Sequence, residues 1–412
     1  MRLLIVANDL VVYATAIAQP TGIQRVGTGL AGGLLKIAAE SGGSIEVALI
    51  TVRAGGAREI TPAAAGIGST RRGSARLARP LIKMLDRAPR PLQEQVRTLA
   101  RRVLSTRAAG EGRALEVQPG DWMVVIGAPW IAPGMAEATV ALKQKRGARL
   151  ALLVHDLLPL TAPRWYADRQ GSEARNDVAA LVGAADQLFA VSPQVANDIA
   201  VHLQRNAVSL RPADPALSIA QVGGTSDPYM LFVGTLHPRK RVDSIVRAMV
   251  AIASSDGVAT SPRLVIAGRR HPQDAELFLA LQEAERIPGL RERITLLHDV
   301  NDERLAQLYA DCRFTLLPSL AEGWGIPVRE SLTAGRPVIA SDAVPAAAGS
   351  PFVQVVAAGD DEALAGAIRR WWNSDEPERL AVRITAEHRS RDWSEVANEV
   401  IAVLDPTSKE RA

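Results

Sequence analysis

The chain has 412 residues, 47% hydrophobic and 22% charged, with a formal net charge of +4. That length exceeds one ordinary domain and the balance is ordinary for a globular protein. A single cysteine, Cys312, excludes an intramolecular disulfide, and no window approaches the ~18 uninterrupted apolar residues of a spanning helix.

Leu3-Leu4-Ile5-Val6-Ala7 opens the chain as an apolar run interrupted by Asn8-Asp9, so it reads as a first buried strand and not as an export signal. Further strand-like runs follow at 45–52, 122–127, 149–154 and 187–191, spaced by helix-length segments. Turn-rich stretches at 210–215 and 223–228 suit a linker. A second series then runs through 229–233, 263–267, 294–297, 313–317, 337–340 and 352–356. This alternation predicts an α/β chain with two parallel sheets covered by helices. Gly27-Thr28-Gly29-Leu30-Ala31-Gly32 fits the dinucleotide pattern G-x-G-x-x-G, but about twenty residues separate it from the first strand, so these glycines are assigned to close helix packing.

Charge is uneven. Residues 71–113 hold twelve basic side chains against three acidic ones, a local +9 that leaves the remainder at −5. Within that segment Leu92, Val96, Leu99 and Val103 recur at helical spacing, flanked by Arg97, Arg101 and Arg102. Two readings stay open: a basic amphipathic helix on an anionic membrane surface, or a helix whose apolar stripe packs on its own domain. Nucleic acid is not expected as a partner, because no aromatic residue interleaves the basic ones.

The polar residues that follow buried strands are the site candidates. His155-Asp156 ends the run 149–154, Thr235-Leu236-His237-Pro238-Arg239-Lys240 follows the run 229–233, and His298-Asp299-Val300 follows the run 294–297. After 313–317, Ala321-Glu322-Gly323-Trp324-Gly325-Ile326-Pro327-Val328-Arg329-Glu330 sets two carboxylates across a glycine-hinged loop that opens a helix. Glycines on both sides of Trp324 let backbone N–H groups approach a ligand, and Pro327 suits a helix's first turn. Glu330 alone would also suit that turn as a partner of the helix dipole. Thr21-Gly22-Ile23 reads as a turn and helix start able to present N–H groups, or as a plain turn. Ser192 is placed as a helix cap and Cys312 as a core thiol. No Asp-x-Asp pair at a strand end and no His/Cys cluster is found, so no metal is expected.

These motifs resemble the retaining GT-B glycosyltransferases of family 4. The resemblance implies two Rossmann-like doubly wound domains facing across an interdomain cleft. Residues 1–215 would be the acceptor side, with a basic insertion near 53–119. Residues 216–385 would bind the nucleotide-sugar, and 386–412 would return as a helix toward the first domain, anchored by Trp393. It further implies Glu322 at the donor sugar's 3- and 4-hydroxyls, Glu330 at the ribose and Lys240 at the diphosphate. Many members carry an arginine where Thr235 stands, so Arg239 is taken as its substitute. Gly22, Gly323, Trp324 and Gly325 would line the donor, Val300 would border the base, and His155 would lie beside the donor sugar. Asp156 would orient that imidazole or bind acceptor. The implied reaction is metal-independent transfer from a nucleotide-sugar, with GDP-mannose as the chosen donor, to a lipid-linked oligosaccharide or polysaccharide. The nucleotide-sugar is a substrate and no cofactor is expected. The expected location is the cytoplasm, peripheral to the inner face of the membrane. A sugar-nucleotide epimerase of the same fold and a non-catalytic nucleotide-sugar-binding scaffold remain alternatives.

Overall fold

Runs of Leu, Ile and Val without polar alternation form strands buried on both faces, which parallel sheets covered by helices require. The computed structural model describes residues 1–16, 22–68, 112–166, 169–215, 227–271 and 273–406. It consists of two units, Met1–Ala213 with Arg391–Ala412, and Asp214–Ser390. The basic segment 71–113 lies, but for its last two residues, outside the described residues, and so does the helix predicted within it around Leu92–Val103.

In the first unit β1 (Arg2–Val6), β2 (Glu46–Arg53), β3 (Gly56–Ile60), β4 (Arg113–Leu115), β5 (Trp122–Val125), β6 (Arg149–Val154), β7 (Gln187–Ala190) and β8 (Val208–Ser209) form one sheet. Its order is β4-β3-β2-β1-β5-β6-β7-β8. Central β1 pairs in parallel on both sides, Ile5 opposite Leu49 and Val124. The order therefore reverses between β1 and β5, where open α/β sheets place their binding crevice. Helices α1 (Asn8–Ala16), α2 (Gly22–Glu40), α3 (Met135–Arg146), α4 (Arg169–Ala184) and α5 (Pro193–Leu203) connect the strands. Ser192 caps α5, its Oγ accepting from Val195 N at 3.1 Å. Strands β3 and β4 pair antiparallel and were not expected. They lie toward one edge of the sheet, where β3 mixes buried and exposed residues, so no apolar run marks them.

The second unit repeats the principle with β9 (Met230–Val233), β10 (Leu264–Ala267), β11 (Ile294–Leu297), β12 (Phe314–Leu317), β13 (Val338–Ser341) and β14 (Val353–Val356). All pairs are parallel, in the order β11-β10-β9-β12-β13-β14. Here the reversal falls between β9 and β12, with Phe314 opposite Met230. The covering helices are α6 (Val242–Asp256), α7 (Ala275–Glu285), α8 (Asp302–Asp311), α9 (Ile326–Thr333), α10 (Asp361–Trp372) and α11 (Glu376–Glu387). Near the unit's two ends, Asp214 and His388 meet on α9. Arg329 Nη2 is 2.7 Å from Asp214 Oδ2, and His388 Nε2 is 3.7 Å from the same oxygen.

The final helix α12 (Trp393–Leu404) belongs to the first unit and packs on α2. A capping box starts it, with Glu395 N donating to Asp392 Oδ1 at 2.9 Å and Asp392 N to Glu395 Oε1 at 3.1 Å. The glycines of α2 make the contact possible. A Cβ on Gly29 would lie 2.2 Å from Trp393 Cε2, and one on Gly33 would lie 2.3 Å from Trp393 O. Gly27 meanwhile faces Ile126 O, 3.4 Å from an added Cβ. The dinucleotide-like pattern is thus a packing surface. Among the described residues no helix is long and apolar enough to cross a membrane.

Candidate active site

In the second unit the turn after β9 and the loop after β12 meet because their strands are neighbours at the reversal. His237 caps the short helix Pro238–Lys240 by accepting from Arg239 N at Nδ1, 3.1 Å away. Leu320 N donates to Arg239 O at 2.7 Å and Arg239 Nη1 donates to Ala321 O at 2.7 Å, so the two loops are joined through backbone and side chain. Their charges then converge on one carboxylate. Lys240 Nζ bonds Glu322 Oε1, Arg239 Nη1 lies 3.0 Å from Oε2, and Ser319 Oγ donates to Oε1 at 2.7 Å. The Glu322 side chain is only 7% exposed. Burial by itself would push its carboxyl up, but Arg239, Lys240 and the hydroxyl of Ser319 outweigh it and hold the group at about 2. Glu322 is ionised at any physiological pH.

The loop after Glu322 has to bend sharply to start α9. Gly325 provides the bend at φ 105°, and a Cβ there would stand 2.4 Å from Val344 Cγ1. Gly323 lies in the same bend. Trp324 is buried and its carbonyl accepts from Ala346 N at 2.9 Å, while its indole N–H finds no partner among the described residues. Glu330, one turn into α9, is buried and accepts from the Tyr309 hydroxyl at 2.7 Å. Tyr309 is itself fully buried among Leu231, Ala267, Leu305, Leu308 and Cys312. Burial pushes the Cys312 thiol up to about 12, which makes it a core group and not a nucleophile. Val300 is half-buried against the same cluster, and Thr235 is exposed after β9.

In the first unit the polar residues hold backbone. His155 is buried at the end of β6 with Nε2 2.8 Å from Ile126 O. A carbonyl only accepts, so Nε2 carries the proton and Nδ1 is left as an acceptor. Burial pushes the imidazole down to about 4, against the pull of the Ile126 bond. Asp156 Oδ1 accepts from Leu158 N at 3.1 Å in a local turn. Gly22 is the exposed first residue of α2, and residues 17–21 before it lie outside the described residues.

Asp9 was not among the candidates. It is buried, accepts from Ala128 N at 2.8 Å through Oδ2, and occupies the place a Cβ on Gly127 would take, 1.9 Å from that oxygen. Burial pushes its carboxyl up to about 6, with the backbone N–H of Ala128 and of Leu10 pulling the other way. Its neighbour Asn8 brackets β2, donating to Val52 O at 3.0 Å and accepting from Val52 N at 2.9 Å. A signal did exist. Asn8-Asp9 is a polar pair directly after a buried strand, the feature that singles out His155-Asp156. Tyr309 has no such signal, being one aromatic on the buried side of an amphipathic helix.

The family model of glycosyl transferases group 1 matches residues 227–374, a stretch that contains Thr235, Arg239, Lys240, Val300, Glu322 and Glu330. The serotype-specific mannosyltransferase WbdA of Escherichia coli is 26% identical over 219 residues, covering 48% of this chain and 26% of that relative. The chain thus spans about a quarter of the length of WbdA. D-inositol 3-phosphate glycosyltransferase 1 of Catenulispora acidiphila is 27% identical over 325 residues, covering 73% of this chain and 75% of its own. Among solved structures, Anabaena HepE in complex with UDP and glucose superposes over 98% of this chain and 99% of its own, with a TM-score of 0.61 at 15% identity.

Proposed function

Because residues 227–374 match the group 1 glycosyltransferase family and the chain has the GT-B fold, we propose that it transfers a hexosyl group from a nucleotide-sugar to a saccharide acceptor, with retention and without a metal ion. The observation that carries this reading is the convergence of Arg239 and Lys240 on Glu322, at the strand reversal of the unit that the family model matches. Breaking the bond between the anomeric carbon and the diphosphate develops negative charge on the leaving phosphate. Two cations preset in a water-poor turn stabilise that charge without reorganising. Glu322, ionised throughout, holds sugar hydroxyls and does not attack. The leaving phosphate takes the proton of the acceptor hydroxyl on the same face, which gives retention.

The remaining roles follow from chemistry. Glu330, braced by Tyr309, accepts from the ribose hydroxyls, and Val300 borders the base. Gly22, Thr235, Gly323, Trp324 and Gly325 line the donor with backbone or small groups. His155, neutral and with Nδ1 as an acceptor, receives a donor-sugar hydroxyl, and Asp156 faces the acceptor side. GDP-mannose is the proposed donor, a choice supported by the mannosyltransferase relative. A lipid-linked oligosaccharide or polysaccharide is the proposed acceptor. The protein would then work in the cytoplasm at the inner membrane face, held there by its basic segment 71–113.

Nucleotide release from a panel of GDP-, UDP- and dTDP-sugars, with and without an extracted lipid-linked acceptor pool, tests the reading. Acceptor-dependent release from one donor, insensitive to EDTA and lost in Lys240→Ala and Glu330→Gln, is the expected result. Conversion of a donor without acceptor would instead indicate an epimerase. Binding without any turnover would indicate a scaffold.

A further inference from the structure

The turn that carries both cations ends on Arg241, whose φ of 52° and ψ of 41° put a residue with a Cβ in the left-handed region. Among the described residues Gln204 is the one other non-glycine there. The conformation is imposed from both sides. Arg241 N closes the turn on Pro238 O at 3.1 Å, and its carbonyl at once accepts from Ser244 N at 3.1 Å as α6 begins. One residue must therefore redirect the chain from one helical axis to the next, and left-handed backbone is disfavoured for L-residues other than glycine, asparagine and aspartate.

The side chain is tethered. Arg241 Nη2 lies 2.8 Å from both carboxylate oxygens of Asp361, at the start of α10, and Nε is 3.5 Å from Asp243 Oδ2. Asp243 is shared with Arg247, whose Nη1 is 2.8 Å from the same oxygen. Only Asp361 is bound by Arg241 through two short contacts, and it comes from a different strand-to-helix connection.

We propose that Arg241 is a positioning residue: its tether to Asp361 holds the left-handed turn that fixes Arg239 and Lys240 against Glu322. This rests on the reading of that turn as the diphosphate grip. If the arginine merely covered the surface of a right-handed helix start, alanine would replace it better than glycine, because glycine loses more backbone freedom on folding. A strained left-handed site reverses the order.

The experiment is calorimetric binding of GDP and UDP against GMP and UMP, with thermal melting recorded for each variant. The ratio of diphosphate to monophosphate affinity isolates the grip, whereas general loosening of the fold would weaken both ligands together. In Arg241→Ala the ratio is expected to fall about tenfold, and in Arg241→Gly no more than about threefold. Asp361→Ala is expected to cut the ratio about tenfold in the native background and less than about twofold in the Arg241→Gly background, as coupled residues do. Alanine equal to or better than glycine, or an Asp361→Ala effect unchanged by Arg241→Gly, would overturn the inference. Lys240→Ala separates the two readings. An unaltered ratio there would sink the grip itself and the inference with it, while a lost ratio there without the glycine-over-alanine order would sink the inference alone.

Discussion

Each unit buries an acidic side chain where the strand order of its sheet reverses, and the two acids are driven in opposite directions. Asp9 follows β1 and is pushed up to about 6; Glu322 follows β12 and is held at about 2. Burial acts on both in the same sense. What differs is the neighbouring strand-end loop, which offers Asp9 the N–H of Ala128 but offers Glu322 two cations, to which Ser319 in its own loop adds a hydroxyl. A backbone dipole compensates a buried charge only in part, whereas paired cations over-compensate it. Equivalent places in two sheets therefore serve different ends: a clamp on the backbone in one, and a preset field in the other.

The comparison breaks most directly at its charged end. Glu322→Gln leaves Arg239 and Lys240 without their counter-charge, and Lys240→Ala removes half of the proposed phosphate stabilisation. Each is expected to lower turnover about 10²- to 10³-fold, the size found when one preorganised group is deleted. Steady-state nucleotide release with saturating donor checks this, and an effect under about tenfold would mean that the cluster is only structural. Stability carries a matching signature. Since the folded-state value of Glu322 lies below its ordinary 4.5, its stabilisation is complete above that pH and is lost as pH falls toward about 2. Glu322→Gln should not show that loss in acid titration.

At the other end, two buried groups of the first unit oppose each other. Between roughly pH 4 and 6 folded Asp9 keeps a proton that the unfolded chain has released, so its term falls as pH rises, by roughly 3 kcal/mol across the window. Folded His155 refuses a proton that the unfolded chain binds between its ordinary 6.5 and about 4, so its term rises with pH over nearly the same interval. The two oppose each other in the parent chain. Asp9→Asn is expected to leave a net rise of stability from pH 4 to 6 relative to the parent, and His155→Gln a net decline. Urea denaturation at several pH values reads the difference directly, and parallel profiles for parent and Asp9→Asn would dissolve the contrast between the two acids.

How much of this was legible depends on what each residue faces. Strands such as β9 and β12, buried along nearly their whole length, announce themselves as short apolar runs, and the glutamates and cations after them are visible as residue types. Edge strands β4 and β8 and the next-to-edge β3 carry no such run, being only two or three residues long or mixing buried with exposed residues. Nor does the sequence order reveal that Lys240 bonds Glu322, since the pairing spans 82 positions and exists because β9 and β12 are adjacent. Asp9 obeys the rule that selected His155 and could have been found by it. The left-handed state of Arg241 could not, because arginine gives no hint of positive φ.

A third buried acid sharpens the contrast with the smallest change. Glu330 lies in the second unit like Glu322, yet it accepts from a neutral group, the Tyr309 hydroxyl, at 2.7 Å. If the tyrosine serves to aim the carboxylate at a ribose, Tyr309→Phe removes one hydrogen bond to a charged group while keeping the ring that fills the core. Such a bond contributes about 1.5–3 kcal/mol, so donor KM should rise roughly tenfold or more. Turnover at saturating donor should stay within about threefold, because the ribose is held alike in ground and transition states. A fall in kcat with KM unchanged would place Glu330 at the reacting centre beside Glu322. Melting separates the remaining possibility: a large drop in Tm with KM untouched would make Tyr309 and Glu330 a core pair, and the carboxylate pair of the helix start would reduce to one functional member.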